Sequence, residues 1–155
     1  MILGINDAAL QTSLMRLLDK YEKLKTEVFE AELKKLGLED ADPIHQFMTA
    51  KNLEELKHRF ISLAGDASFK DFEEIFSSLE ELGYSAEIEF SGSLIRGFDY
   101  YDGVIFEMFD TNSENARALF GGGRYNGLAD IFGVKEGIPA VGFAPGDETM
   151  KLFLE

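Results

Sequence analysis

Cysteine is absent from the 155 residues, which excludes disulfides and every metal site built on thiolates, and nothing demands an oxidising compartment. Base is scarce: 15 Lys and Arg stand against 29 Asp and Glu, a formal net charge of -14. That balance argues against a nonspecific nucleic-acid or membrane-surface binder, because both need excess cations to neutralise phosphates or headgroups. A partner held by a few local contacts stays compatible with it. Long apolar runs are also missing. No stretch approaches the ~20 residues of a membrane span, and Met1-Ile2-Leu3-Gly4-Ile5 turns polar at Asn6, short of a signal peptide's apolar core. A soluble, cytoplasmic protein that makes no membrane contact is expected. The two histidines, His45 and His58, sit on charged or mixed surfaces; both read as solvated, and no metal cluster is expected. Neither a Walker loop nor a Gly-x-Gly-x-x-Gly dinucleotide fingerprint occurs, and there is no internal repeat or low-complexity segment.

What is present divides near Gly83. Hydrophobic residues make up 45% of the chain, enough for one compact domain or a small domain with a helical appendage. Before Gly83 the periodicity is helical. Asn6 or Asp7 can cap a helix carrying Leu10, Leu14, Leu17 and Leu18. Tyr21 to Leu36 follows, with Leu24, Val28, Leu33 and Leu36 inward and Gly37 as the stop. Asp42-Pro43 starts a short segment, Ile44 to Ala50. Asn52 caps Leu53 to Ala64, ended by Gly65. Ser68 opens a helix whose stripe is Phe69, Phe72, Ile75, Phe76, Leu79 and Leu82.

After Gly83 the pattern becomes β. Ala86 to Phe90 alternates apolar and acidic residues, and Val104 to Phe109 is denser in apolar ones; Asp102-Gly103 between them suits a hairpin turn with positive φ. Ala116 to Phe120 predicts a further strand running into Gly121-Gly122-Gly123-Arg124-Tyr125-Asn126-Gly127, then a short helix from Leu128 to Phe132. Ile138 to Phe143 predicts the last strand, and Gly146-Asp147-Glu148 opens a terminal helix through Leu154. An α+β fold with an antiparallel sheet is the expected product.

The polar groups of the second half concentrate in Leu94-Ile95-Arg96-Gly97-Phe98-Asp99-Tyr100-Tyr101-Asp102-Gly103-Val104-Ile105-Phe106-Glu107. A buried arginine needs an anion. Asp99 or Glu107 can be its structural partner; alternatively its planar fork holds a ligand carboxylate or phosphate. Strand alternation would send Tyr100 and Tyr101 to opposite faces, so at most one should project into a pocket. Three successive glycines weaken a strand, which points either to a backbone that must be approached closely or to a flexible loop.

That long segment resembles the histidine-binding signature of histidyl-tRNA synthetases, a family of class II aminoacyl-tRNA synthetases. Gly121-Gly122-Gly123-Arg124-Tyr125-Asn126-Gly127-Leu128 is similar to the family's second histidine motif. Pro139-Ala140-Val141-Gly142-Phe143-Ala144-Pro145-Gly146 resembles the start of its motif 3. The resemblance implies that Arg96 holds the histidine carboxylate and the α-phosphate. It implies that Tyr101, with Tyr100 beside it, lines the imidazole pocket, that Tyr125 adds a hydroxyl, and that Gly121, Gly122 and Gly123 form a closely approached floor. Gly142 and Gly146 would lie on the ATP side, and no resident metal is implied.

By the same resemblance, residues 1–20 begin a catalytic-core segment, 21–83 form a helical insertion that approaches the tRNA acceptor stem, and 84–155 return to the core. The implied parent is an ATP- and Mg2+-dependent homodimer that joins histidine to tRNA(His) through histidyl-adenylate. Two departures stand out. Thr149 occupies the place where motif 3 commonly carries an ATP-contacting Arg, and nothing here resembles motif 1 or motif 2, so the chain reads as an internal fragment that is inactive in adenylation alone. The rival readings are a synthetase-like regulatory subunit in histidine biosynthesis that makes no adenylate, and a scaffold with an unrelated ligand.

Overall fold

The computed structural model describes residues 8–60, 67–96, 100–112 and 117–155, which form two compact units, one ending at Ile95 and one beginning at Arg96. The chain is α+β. Its described elements are the helices α1 (Ala8–Leu18), α2 (Thr26–Lys35), α3 (Asp42–Met48), α4 (Leu53–Arg59) and α5 (Ala67–Glu81), the strands β1 (Ile105–Phe109), β2 (Ala118–Arg124) and β3 (Val141–Pro145), and the helix α6 (Asp147–Leu154). Short 3-10 helices cover Tyr21–Lys23 and Asn126–Phe132. None of the described helices is long and apolar enough to cross a membrane.

The first unit is helical and has two apolar clusters. Leu14 and Leu17 of α1, Phe29 and Leu33 of α2, and Ile44 and Met48 of α3 make one; Ala50, Leu53, Leu56, Phe69 and Phe90 make the other, and Phe47 packs against both. Local sequence explains three of the helix ends. Asn52 accepts from the Glu55 amide at 2.8 Å and so satisfies an amide of the first turn of α4 that would otherwise lack an acceptor. At Gly37 and Gly83, φ is +79° and +91°. The amides of Gly37 and Leu38 return to Lys34 and Leu33, and those of Gly83 and Tyr84 to Glu80 and Leu79, so both helices stop in the left-handed closure that glycine adopts without strain.

Several expectations need correction here. The stretch from Tyr21 to Leu36 is a 3-10 turn followed by α2, and Phe29 takes the buried position while Val28 is exposed. Leu82 lies outside the stripe of α5 and is exposed. Ala86 to Phe90 forms no strand: Phe90 turns into the helical core, its ring 5.8 Å from Phe72, so hydrophobic burial overrides the alternation. His45 is not solvated. It is half-buried, with Nδ1 3.0 Å from the Tyr21 hydroxyl, Nε2 3.5 Å from Glu30 Oε1, and the Phe29 ring alongside. The predicted roles of Asn6, Asp7, Gly65 and Ala116 lie outside the described residues.

In the second unit the strands are antiparallel in the order β1-β2-β3. The glycine triplet does not end a strand; it lies inside the central one. Gly121 pairs with Glu107 and Ala144, Gly122 with Phe106 and Phe143, and Gly123 with Ile105 and Gly142. The last strand begins at Val141 because Ile138 and Ala140 are engaged by Asn126, through the Asn126 carbonyl and its side-chain oxygen. Asp102-Gly103 is not a hairpin turn, since no strand precedes it among the described residues, and Gly103 is not among the positive-φ glycines. A Cβ at Gly103 would instead lie 2.9 Å from Arg124 Cβ. Packing against β2 is what requires glycine there.

Candidate functional site

Residues paired across neighbouring strands share a face of the sheet. Glu107, Gly121 and Ala144 therefore form one row, and Ile105, Gly123 and Gly142 the next row on the same face. With side chains missing from three of these positions, the backbone is open to whatever lies above it. Arg96 lies above Gly121: a Cβ there would stand 2.8 Å from Arg96 Cζ and 3.0 Å from Glu107 Cγ, and closer still to Nη1. Tyr101 covers Gly123, whose Cβ would meet the ring at 2.8 Å. Tyr125 covers Gly142, with Cζ at 3.2 Å and the hydroxyl nearer. Gly121 and Gly123 are two residues apart, so the guanidinium and the phenols stand over one face separated by about 7 Å along the strand.

Arg96 donates through Nη1 to Glu107 Oε1 at 2.7 Å, and the two side chains are only 16% and 22% exposed. Its Nε is buried with no hydrogen-bond partner. Of the two anions offered by the sequence, Glu107 is the one found; Asp99 lies outside the described residues.

The tyrosines do not alternate. Tyr100 and Tyr101 precede β1 rather than lie in it, so both rings reach the same place. Their centroids are 4.6 Å apart, and Tyr125 stands 5.6 Å from Tyr100 and 6.0 Å from Tyr101. The expectation that only one could project into a common space is corrected by this irregular backbone. Tyr100 has its phenol pKa raised, chiefly by donating to the Tyr101 hydroxyl at 3.5 Å, then by partial burial and the neighbouring Tyr101 and Tyr125 phenols, with Arg96 opposing. Clustered phenols of this kind give hydroxyl groups that can both donate and accept.

Not every candidate joins this face. Gly122 points the other way, where its Cβ would lie 2.7 Å from Phe143 Cβ. Gly146 stands at the entrance of α6, its amide bonded to the Leu119 carbonyl at 2.9 Å. Thr149 is buried, its hydroxyl within 3.1 Å of the Gly146 carbonyl and 3.3 Å of the Leu119 carbonyl, so it seats α6 on β2. One contributor escaped the sequence reading: Asp102, whose carboxylate accepts from the amides of Asn126 at 3.0 Å and Gly127 at 2.6 Å. It fastens the turn that carries Tyr125. Its position just ahead of a glycine made it look like ordinary turn chemistry. No group of three or more His, Asp or Glu among the described residues is placed to hold a metal ion.

The arrangement is that of an α+β protein whose antiparallel sheet carries a glycine-floored face lined by one arginine and three phenols. A sequence model described as histidyl-tRNA synthetase matches residues 5–149. The chain is 35% identical over 161 residues to a histidine–tRNA ligase of Halobacterium salinarum, covering 99% of this chain and 36% of that protein. It is 39% identical over 133 residues to a chloroplastic/mitochondrial histidine–tRNA ligase of Arabidopsis thaliana, covering 84% and 26%. The crystal structure of histidyl-tRNA synthetase from Nostoc sp. PCC 7120 shares its fold with a TM-score of 0.73 at 24% identity, over 98% of this chain and 38% of that one. An ATP phosphoribosyltransferase regulatory subunit/histidyl-tRNA synthetase from Bacillus halodurans C aligns with a TM-score of 0.69 at 24% identity, over 97% and 39%. The chain belongs to the histidyl-tRNA synthetase family. It spans little more than a third of the length of the Halobacterium relative.

Proposed function

We propose that this chain supplies the histidine-binding side of a histidine–tRNA ligase, in which ATP activates histidine to histidyl-adenylate before transfer to tRNA(His). The observation that carries the reading is the placement of Arg96, Tyr101 and Tyr125 over Gly121, Gly123 and Gly142 on one sheet face. The phenols suit an imidazole, whose two nitrogens need one donor and one acceptor when neutral. A site that pairs them rejects side chains lacking those groups, because its own polar atoms would be left unpaired.

Arg96 suits the other end of the substrate. Its buried, unpartnered Nε can donate to a carboxylate. When the histidine carboxylate attacks the α-phosphorus and pyrophosphate leaves, negative charge grows on the phosphate oxygens, and the guanidinium compensates it. Mg2+ would enter with the phosphates of ATP. Gly142 and Gly146 belong to the ATP side in this reading, and residues 21–83 to an insertion reaching toward the tRNA acceptor stem. The homodimer and a cytoplasmic location belong to the whole protein in the same reading.

The second reading is a regulatory subunit of a histidine-biosynthetic enzyme that makes no adenylate, favoured by the Bacillus halodurans relative's double description and by Thr149 at the position where an arginine was expected. Calorimetric titration of histidine and histidinol into the chain tests the histidine reading. Histidine is expected to bind at least about tenfold more tightly, with the difference erased by Arg96→Ala; equal affinities would refute the carboxylate contact. Histidine-dependent ATP–pyrophosphate exchange is expected to be absent from these 155 residues alone.

A further inference from the structure

The ion pair between Arg96 and Glu107 is built into the sheet. Glu107 stands on β1 opposite Gly121, and the pair crosses the central strand where a methyl group at position 121 would collide with the guanidinium. Both side chains are largely withdrawn from water, where losing one partner of a pair matters more than at a surface. Glu107 takes only Nη1, while Nε, on a different edge of the fork, is buried without a partner. A guanidinium on a long flexible stem is thereby held by one corner. A planar anion approaching the Nε edge meets a donor already oriented.

We propose that Glu107 is a positioning residue, holding Arg96 by Nη1 across Gly121 so that its Nε edge receives the carboxylate or phosphate of the ligand. The proposal rests on the reading of Arg96 as the ligand's anion holder. Glu107 touches no substrate atom in this arrangement and acts through Arg96. Its negative charge also offsets that of the arginine, so anions are selected by fit to the fork rather than by charge alone.

The test compares wild type, Glu107→Ala and Glu107→Gln by proton–nitrogen correlation of the arginine Nε–H groups, with Arg96→Lys assigning the Arg96 signal by its loss. A slowly exchanging Arg96 Nε–H is expected in the wild type. Glu107→Gln should keep it, because the amide oxygen still accepts from Nη1, and Glu107→Ala should move it to the position of exposed arginines. An unchanged signal in Glu107→Ala overturns the proposal, as does loss of amide dispersion in both variants, which would make Glu107 a residue of the fold. Should only Glu107→Ala lose dispersion, Glu107→Asp, one methylene shorter, carries the same expectation.

In calorimetry, Glu107→Ala should weaken histidine at least about tenfold and change histidinol, which lacks the carboxylate, less than about twofold. A parallel loss of both ligands counts against positioning. Wild-type protein that binds neither ligand sinks the histidine reading, and the nitrogen spectra then decide by themselves whether Glu107 positions Arg96.

Discussion

Tyr100 shows how one side chain inherits its chemistry from its neighbours. Its raised pKa comes first from the hydrogen bond to Tyr101, and the protonated phenol is the form that the fold favours. The contribution to stability is therefore complete below the ordinary phenol value and is lost as pH rises through the raised folded value. In Tyr101→Phe the alkaline ultraviolet titration of Tyr100 should move down toward that of a free phenol, and an unmoved curve would contradict the assigned cause. None of this was readable from the pair of letters. Alternation along a strand was the natural assumption for two adjacent tyrosines, and only the irregular backbone ahead of β1 brings both rings together. Arg96 was more legible, since an arginine among apolar residues must find an anion, and Glu107 is one of the two acids that the segment offers it.

At the level of elements, the helices were legible and the strands less so. Helix ends carry their own chemistry, as Asn52, Gly37 and Gly83 show, whereas a strand exists only where a partner strand does. Ala86 to Phe90 alternates well, yet Phe90 gains more by burial among Phe72 and the α4 residues than by pairing. β2 is the converse, since three glycines are poor strand formers and are nevertheless held by neighbours on both sides. Two substitutions separate these logics. Asn52→Ala should lower the stability of the helical unit by about 1 kcal/mol through loss of the α4 cap, measured by denaturant unfolding followed by far-ultraviolet dichroism. Gly122→Ala should cost the sheet about 1–3 kcal/mol, because its methyl would press on the Gly142 carbonyl and on Phe143. A neutral Gly122→Ala would mean that β2 and β3 can separate without loss.

Over the whole molecule, charge and exposed apolar surface set the terms of any encounter. A net charge of -14 repels phosphate backbones at range, and partners of that kind must be met by local contacts. Filter binding of tRNA to this chain at low salt is expected to show no submicromolar affinity, and a submicromolar value would require a cationic patch that the overall balance hides. The side of the sheet turned away from the glycine floor carries the exposed Met108, Val141 and Phe143. The two sides of one sheet thus differ in kind, one apolar and bulky, the other a glycine floor roofed by Arg96, Tyr101 and Tyr125. That roof gives the molecule its own reporter. An occupant that shifts any of the three side chains changes what rests on the peptide groups beneath, so the resonances of Gly121, Gly123 and Gly142 should register its arrival.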